Sequence, residues 1–435
     1  MSFMQKSAAA LVLTGAALAV STAYAAGFQL TEQSSLGLGR AYAGAGIVGD
    51  DLSAVHYNPA GMTLLDGTRV QAGFTWIALN ADIDGVNGQS ENGRLKGQAI
   101  PTGYVTHQVN DNLWLGFAMS VPYGMGTEYD KNWWGANRGT NAKIYTFDMN
   151  PNIAWKVNDL ISVGAGVSVQ YAKADLGMGV MPGVQGEIDA DSWDWGFNLG
   201  LMISPTDTLR FGLAYRSSIE HNAEGDFDLS INNQQVLPMP LGLTFPSQAT
   251  VKTPDTVMLT GTWEATPDLR LSGLIRWANW SNFDTLTIKN NASGLAGLLP
   301  ALKPVLGDKF QMVSGMMQQL GKYDIPNKWQ DTWLFSVGAD YRINDAFTVR
   351  GGIAYETSPI DDQTTRMAVI PDTDRLWLSL GATYHFNKQL QFDMGATYLM
   401  GVGDMDLYDG VNGKKIGEYQ SLDAYLVGFQ AQYRF

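Results

Sequence analysis

The chain has 435 residues, 49 of them glycine and none cysteine, with 42 acidic against 28 basic side chains and only 16% charged residues. The acidic balance and the lack of a basic cluster exclude a nucleic-acid binder. After the N-terminus no apolar run approaches the roughly 20 residues a membrane helix needs, which excludes a helical membrane bundle.

Residues 1–25 read as a secretory signal peptide. Lys6 precedes an apolar run from Ala8 to Val20, and Ala23-Tyr24-Ala25 offers a small-residue cleavage site. Cleavage after Ala25 leaves Ala26 at the mature N-terminus. Residues 26–67 do not alternate and are rich in Gly and Ala. They are expected to form a plug, because a wide barrel would otherwise enclose an aqueous hole.

From Thr68 to Phe435 the chain alternates with a period of two, in runs of roughly ten residues or more. Val163, Ala165, Val167, Val169 and Tyr171 share one face, and Ser162, Gly164, Gly166, Ser168 and Gln170 the other. Tyr425, Val427, Phe429, Ala431, Tyr433 and Phe435 repeat the pattern at the C-terminus. Long strands with an apolar outer face and a small or polar inner face are the mark of an outer-membrane barrel. Lipid tolerates no open sheet edge, so the sheet must close. Turn formers at 110–112, 158–159, 204–207, 265–268, 344–345 and 387–388 mark six short connections. Longer polar segments at 82–95, 122–141, 173–190, 220–249, 289–328, 358–372 and 401–417 mark seven loops. The expected fold is all-β: a transmembrane antiparallel β-barrel of about 14 strands spanning residues 68–435, with an N-terminal hatch at 26–67 inside the lumen. Short turns are expected to be periplasmic and long loops extracellular. Trp76, Trp155, Trp263, Trp280 and Trp329 lie near strand ends, where interfacial girdles are expected.

Three local features carry function. Pro122 interrupts the alternating run from Leu113 to Val121. Proline removes a ladder donor, so Pro122-Tyr123-Gly124 marks either a break in the wall or the end of the strand. Asn58-Pro59-Ala60 is a turn in the plug that either shapes it or helps to gate it. The segment 289–328 is an extracellular loop with helical stripes. Leu298, Leu302 and Leu306 form one stripe, and Phe310, Val313 and Met317 another. These residues either capture a hydrophobic ligand or pack a helical pair on the rim. Gly44-Ala-Gly46-Ile-Val-Gly49 fits a dinucleotide-binding pattern, but no βαβ unit surrounds it. The four His are isolated and no metal-ligand spacing occurs. No nucleophile motif is visible. Neither an enzyme nor a cofactor or metal is expected.

The mature start Ala26-Gly27-Phe28-Gln29-Leu30, the run Gly37 to Tyr42, Asp50-Asp51 with Asn58-Pro59-Ala60, the stretch Ser120 to Glu128 and the stretch Ile370 to Ser379 appear in that order. Together they resemble the FadL/TodX family of outer-membrane transporters of hydrophobic compounds. The resemblance implies a fourteen-stranded barrel with a hatch, in the outer membrane of a Gram-negative bacterium. It implies that Ala26, Gly27, Phe28 and Asn58 to Ala60 take part in gating. It also implies that cargo leaves sideways at the kinked third strand, at Pro122, Tyr123 and Gly124. The family holds a fatty-acid carboxylate with an Arg and a Lys. The Arg position aligns with Met178 here, which leaves Lys328, Lys173 and Lys289 either as carboxylate candidates or as solvated surface charges. Long-chain fatty acids are the expected cargo, captured outside and released by hatch rearrangement. Neutral aromatic or aliphatic hydrocarbons on the same route are the alternative, and an aqueous diffusion porin a further one. Expected partners are the hydrophobic ligand, outer-membrane lipid and lipopolysaccharide, and the barrel-assembly machinery during biogenesis.

Overall fold

The computed structural model describes residues 26–93, 97–233, 240–291, 321–409 and 412–435, together with positions 303–304, 307, 310–311 and 314. The first six strands are β1 (Thr68–Leu79), β2 (Gln98–Asn110), β3 (Leu113–Ser120 and Gly124–Glu128), β4 (Asn141–Lys156), β5 (Ile161–Met181) and β6 (Val184–Thr206). Each of the next four is interrupted once. They are β7 (Leu209–Arg216 and Glu220–Ile231), β8 (Leu241–Lys252 and Thr256–Glu264), β9 (Leu269–Ala278 and Thr285–Asn290) and β10 (Lys322–Pro326 and Thr332–Arg342). The last are β11 (Phe347–Glu356), β12 (Arg375–His385), β13 (Leu390–Gly401) and β14 (Ala424–Arg434).

Each strand pairs antiparallel with the one before it. β14 returns to β1 in unbroken register from Arg69↔Arg434 to Leu79↔Ala424, so the fourteen strands close into a barrel. The period of two sets the two faces. Val163, Val167, Phe197, Leu199, Leu213 and Phe335 point outward and are exposed, as a lipid-facing band requires. Ser162, Ser168, Gln170, Asn198, Ser336 and Gln430 point inward and are buried.

The six short turns fall where turn formers stand in the sequence. Two expected loops are different. Residues 173–190 continue β5 and β6 up to a tight turn at Pro182-Gly183, and most of 220–249 extends β7 and β8. The inner face stays apolar there, through Leu176, Ile188 and Ala190, while the outer face turns charged. On that outer face Asp191 lies opposite Glu224, Asp189 opposite Asp226 and Glu187 opposite Asp228. The charged outer positions hid a sheet that rises past the membrane band. Trp76, Trp155 and Trp263 are half exposed near strand ends, but Trp280 and Trp329 are buried inside. Their place near strand ends did not reveal which way they face.

Residues 26–66 are almost wholly buried, and partners from all around the ring surround them. The Ser35 N–H donates to Gln430 Oε1 on β14 at 2.8 Å. Asn58 Nδ2 donates to the Leu201 carbonyl on β6 at 3.1 Å. The Gly44 N–H donates to the Gly273 carbonyl on β9 at 3.2 Å. Ser336 on β10 donates to the Ala41 carbonyl at 2.6 Å, and Thr397 on β13 to the Leu38 carbonyl at 3.2 Å. The segment is thus gripped by β6, β9, β10, β13 and β14, as a hatch inside the ring would be. At the short-turn end an ionic cluster ties it to the wall. Arg40 Nη1 lies 2.9 Å from Asp50 and 3.4 Å from Asp340. Arg270 reaches Asp50 at 3.0 Å, and Arg350 reaches Asp340 at 2.9 Å. Removing one member of such a buried network strands a charge, at a cost of roughly 3–5 kcal/mol.

Candidate ligand cavity and wall break

On the long-loop side of the plug lies a cavity of about 590 Å³. That is within the roughly 300–1,000 Å³ of small-molecule sites. Inward positions of β6 and β7 supply Ile188, Ala190, Phe227 and Leu229, and Ile288 of β9 faces them. Phe28 of the plug and Tyr123 of β3 border it. Phe28 is held by edge-on rings: Trp280 at 4.8 Å and Phe283 at 5.6 Å between centroids. Trp329 stands 5.8 Å away. Edge-to-face pairs contribute about 0.5–1.5 kcal/mol each beyond area burial. Phe28 is thus a seated anchor.

Of the carboxylate candidates, Lys328 lines the cavity; its Nζ lies 4.0 Å from Asp362 and its side chain is 61% exposed. Lys173 borders the cavity, but its ammonium is 2.9 Å from Asp189. Lys289 is exposed on the outer register of β9 and does not line the cavity. Met178 does line it. Leu298, Leu302, Leu306, Val313 and Met317 lie outside the described residues. Phe310 is helical and is not one of the described residues that line the cavity; Lys303 Nζ lies 5.7 Å from its ring centroid.

Among the lining residues that sequence did not place at the site, two carry ionisable groups, His221 and Arg138. His221 accepts or donates at Nδ1 to Ser192 at 3.1 Å and Asp194 at 3.2 Å, and at Nε2 to Gln170 at 3.0 Å. Serine and aspartate address the same ring nitrogen, so no relay of the hydrolase type exists here. Arg138 donates from Nε to the Tyr408 carbonyl at 2.6 Å and also bonds the Thr364 carbonyl. It ties two loops together over the cavity. His221 lay in a stretch read as loop, where inward parity carries no weight. Arg138 had no neighbouring pattern to single it out.

The wall is irregular at Pro122. The register of β3 with β4 passes from Ser120↔Asp148 to Gly124↔Tyr145, so the three residues 121–123 of β3 stand against the two residues 146–147 of β4. This is a β-bulge. The register of β3 with β2 stops at Gly103↔Met119. Beyond it the leading segment takes the free edge of β3. The Leu30 N–H donates to the Pro122 carbonyl and the Gly124 N–H to the Phe28 carbonyl, both at 2.8 Å. A Cβ on Gly124 would meet Leu30 Cδ1 at 3.0 Å, so Leu30 fills the space at the break.

Asn58-Pro59-Ala60 fits a groove of inward glycines. Asn58 Oδ1 accepts from the Ala60 N–H at 3.1 Å and caps the short helical turn Pro59–Leu64. A Cβ on Gly164 would stand 2.7 Å from Ala60 N, and one on Gly200 would overlap Asn58 Oδ1. Proline at the first helical position gives up a donor that had no partner in any case.

The tip of the plug rests on an acid-rich pocket. The Gly27 N–H donates to Asp372 Oδ2 at 2.6 Å, and Arg375 Nη2 lies 2.6 Å from the same oxygen. Arg276 bridges Thr31 at 2.9 Å and Glu356 at 2.7 Å. Glu32 is fully buried nearby, and neither carboxyl oxygen has a hydrogen-bond partner among the described residues. Burial, with Glu356 adding to it, pushes the Glu32 pKa up to about 8. Burial likewise raises Asp372 to about 6 despite Arg375.

The family model described as outer membrane protein transport protein (OMPP1/FadL/TodX) matches residues 16–435. The long-chain fatty acid transport protein of Escherichia coli K12 is 30% identical over 432 residues, covering 88% of this chain and 90% of the relative. Outer membrane protein P1 of Haemophilus influenzae Rd is 28% identical over 450 residues, covering 92% and 91%. Among solved structures, a Pseudomonas aeruginosa FadL homologue superposes with a TM-score of 0.77 at 24% identity, over 94% of this chain and all of that one. The P. putida toluene transporter TodX gives 0.73 at 16% identity, over 92% and 98%. At these identities the two structures speak for the fold.

Proposed function

Since the chain belongs to the OMPP1/FadL/TodX family of outer membrane transport proteins, we propose a route for its cargo that begins in the cavity and ends in the lipid. The protein is an outer-membrane β-barrel of a Gram-negative bacterium that transports hydrophobic molecules, and it is not an enzyme. The cargo in this reading is a long-chain fatty acid. It enters from the long-loop side, displaces Phe28 and the tip of the plug, and leaves sideways at Pro122, Tyr123 and Gly124. Residues 26–33 move, and Asn58 to Ala60 serve as the fixed pivot. Outer-membrane lipid is the acceptor, with lipopolysaccharide around the outer rim, and the barrel-assembly machinery inserts the chain.

The observation that carries this reading is the shared position of Phe28. It borders the apolar cavity, and its own carbonyl holds the free edge of β3 at the wall break. Moving Phe28 together with the residues that follow it therefore opens the cavity toward the wall. Energetics favour a dry path. Burial is worth about 0.8 kcal/mol per methylene, so a sixteen-carbon chain would forfeit on the order of 10 kcal/mol in a wet pore.

The test is uptake of labelled palmitate by cells whose only transporter of this kind is this protein. Gly124→Arg should cut uptake at least tenfold while the barrel still migrates as folded. Normal uptake by that variant sinks lateral exit. A neutral hydrocarbon is the second reading, favoured by the engagement of Lys173 with Asp189 and of Arg138 with loop carbonyls. Competition by toluene but not by oleate would select it.

A further inference from the structure

The break has a second lip, on β2. In an antiparallel sheet both backbone groups of a residue address one neighbour, and successive residues alternate between neighbours. The Gln108 N–H donates to the Gly67 carbonyl, on the β1 side, at 2.8 Å. The β1–β2 register then runs unbroken to Ile77↔Gln98. Even-numbered residues of β2 therefore address β1, and odd-numbered ones address β3. On β3 the Lys156 N–H of β4 donates to the Asn112 carbonyl at 2.8 Å, so there the odd-numbered residues address β2. After Gly103↔Met119 the next bonded pair would be Pro101 with Val121. Proline has no N–H to give. The ladder stops one step short of it.

Both backbone groups that Val121 turns toward Pro101 are taken by a single side chain. Gln33 Nε2 donates to the Val121 carbonyl at 2.7 Å, and the Val121 N–H donates to Gln33 Oε1 at 3.2 Å. A primary amide has the donor and acceptor that a strand residue would present. Gln33 is itself fully buried, and its own carbonyl accepts from Tyr104 of β2 at 2.6 Å. We propose that Pro101 and Gln33 form a latch on the exit seam: Pro101 prevents β2 and β3 from zipping, and the Gln33 amide stands in for the missing strand residue.

The proposal rests on lateral exit at the third strand. Its consequence is that β2 and β3 part at the seam with no main-chain ladder between the two strands to break; the Gln33 amide and the Leu30–Pro122 and Phe28–Gly124 bonds let go together as residues 26–33 move. Pro101 and Gln33 are positioning residues, and cargo need not touch either.

Pro101→Val and the milder Pro101→Ala restore the donor. The expected result is an amide at position 101 that exchanges with solvent at least tenfold more slowly than an unpaired one. Palmitate uptake should fall at least fivefold in a barrel that migrates as folded. If Pro101→Val does not assemble, Pro101→Ala gives the same two readouts. Wild-type uptake in an assembled variant, or an unprotected amide at 101, overturns the latch. Gly124→Arg is measured alongside. If it blocks uptake while the Pro101 variants transport normally, only the latch falls. If all of them transport normally, lateral exit falls with it.

Discussion

Glu32 sits where a charge has no business unless something neutralises it. Its carboxyl is wholly buried, without a hydrogen-bond partner among the described residues, and faces Glu356 as well as Arg276 and Arg375. A folded pKa raised from 4.5 to about 8 means that the folded state holds the proton more tightly than the unfolded state. The stability this group contributes is present below the unfolded value and is lost as pH rises through the folded one. Glu32→Gln mimics the protonated form. Its melting temperature should match the wild type near pH 4.5 and exceed it increasingly up to pH 8. A constant difference across that range would show that Glu32 is not neutral in the plug. No sequence pattern pointed to Glu32 or to Gln33. Both roles depend on strands far along the chain, and a lone acid or amide in a Gly-rich segment has no period to betray it. Phe28 was legible only through resemblance.

At the scale of elements, alternation did most of the predictive work. Strand existence, the six turns and the inward glycines of β5 follow from a period of two and from turn chemistry. Misplaced boundaries have one cause. Above the membrane band the outer face of β5 to β8 becomes polar, so strand and loop look alike there. Pro122 stood out because it ends a clean run. Pro101 did not, because its neighbours keep alternating and only hydrogen-bond parity shows which way its missing donor points. The groove for Asn58 to Ala60 belongs to this scale too. Gly200→Val would push a branched side chain into Asn58 Oδ1. Overpacking of this kind costs about 1–3 kcal/mol. Chemical unfolding should show that loss, and the leading segment should become open to protease. Unchanged stability would mean that the glycine groove is not needed.

For the whole molecule, closure and filling decide what can pass. A fourteen-stranded barrel without contents would hold water. The proposed plug, residues 26–66 and nearly all of them buried, takes that space. The protein reconstituted in planar bilayers should carry no steady ion current, and a variant lacking 26–66 should conduct. Steady current through the intact protein would return the porin reading to first place. One hydroxyl-bearing residue adds a point about how the molecule is made. Ser35 donates to the Phe74 carbonyl on β1 at 3.2 Å and to Gln430 on β14 at 2.8 Å, across the very seam that joins first strand to last. The cork thereby doubles as a rivet: the two strands that stand farthest apart in the chain are joined by their own ladder and by one plug residue that grips both.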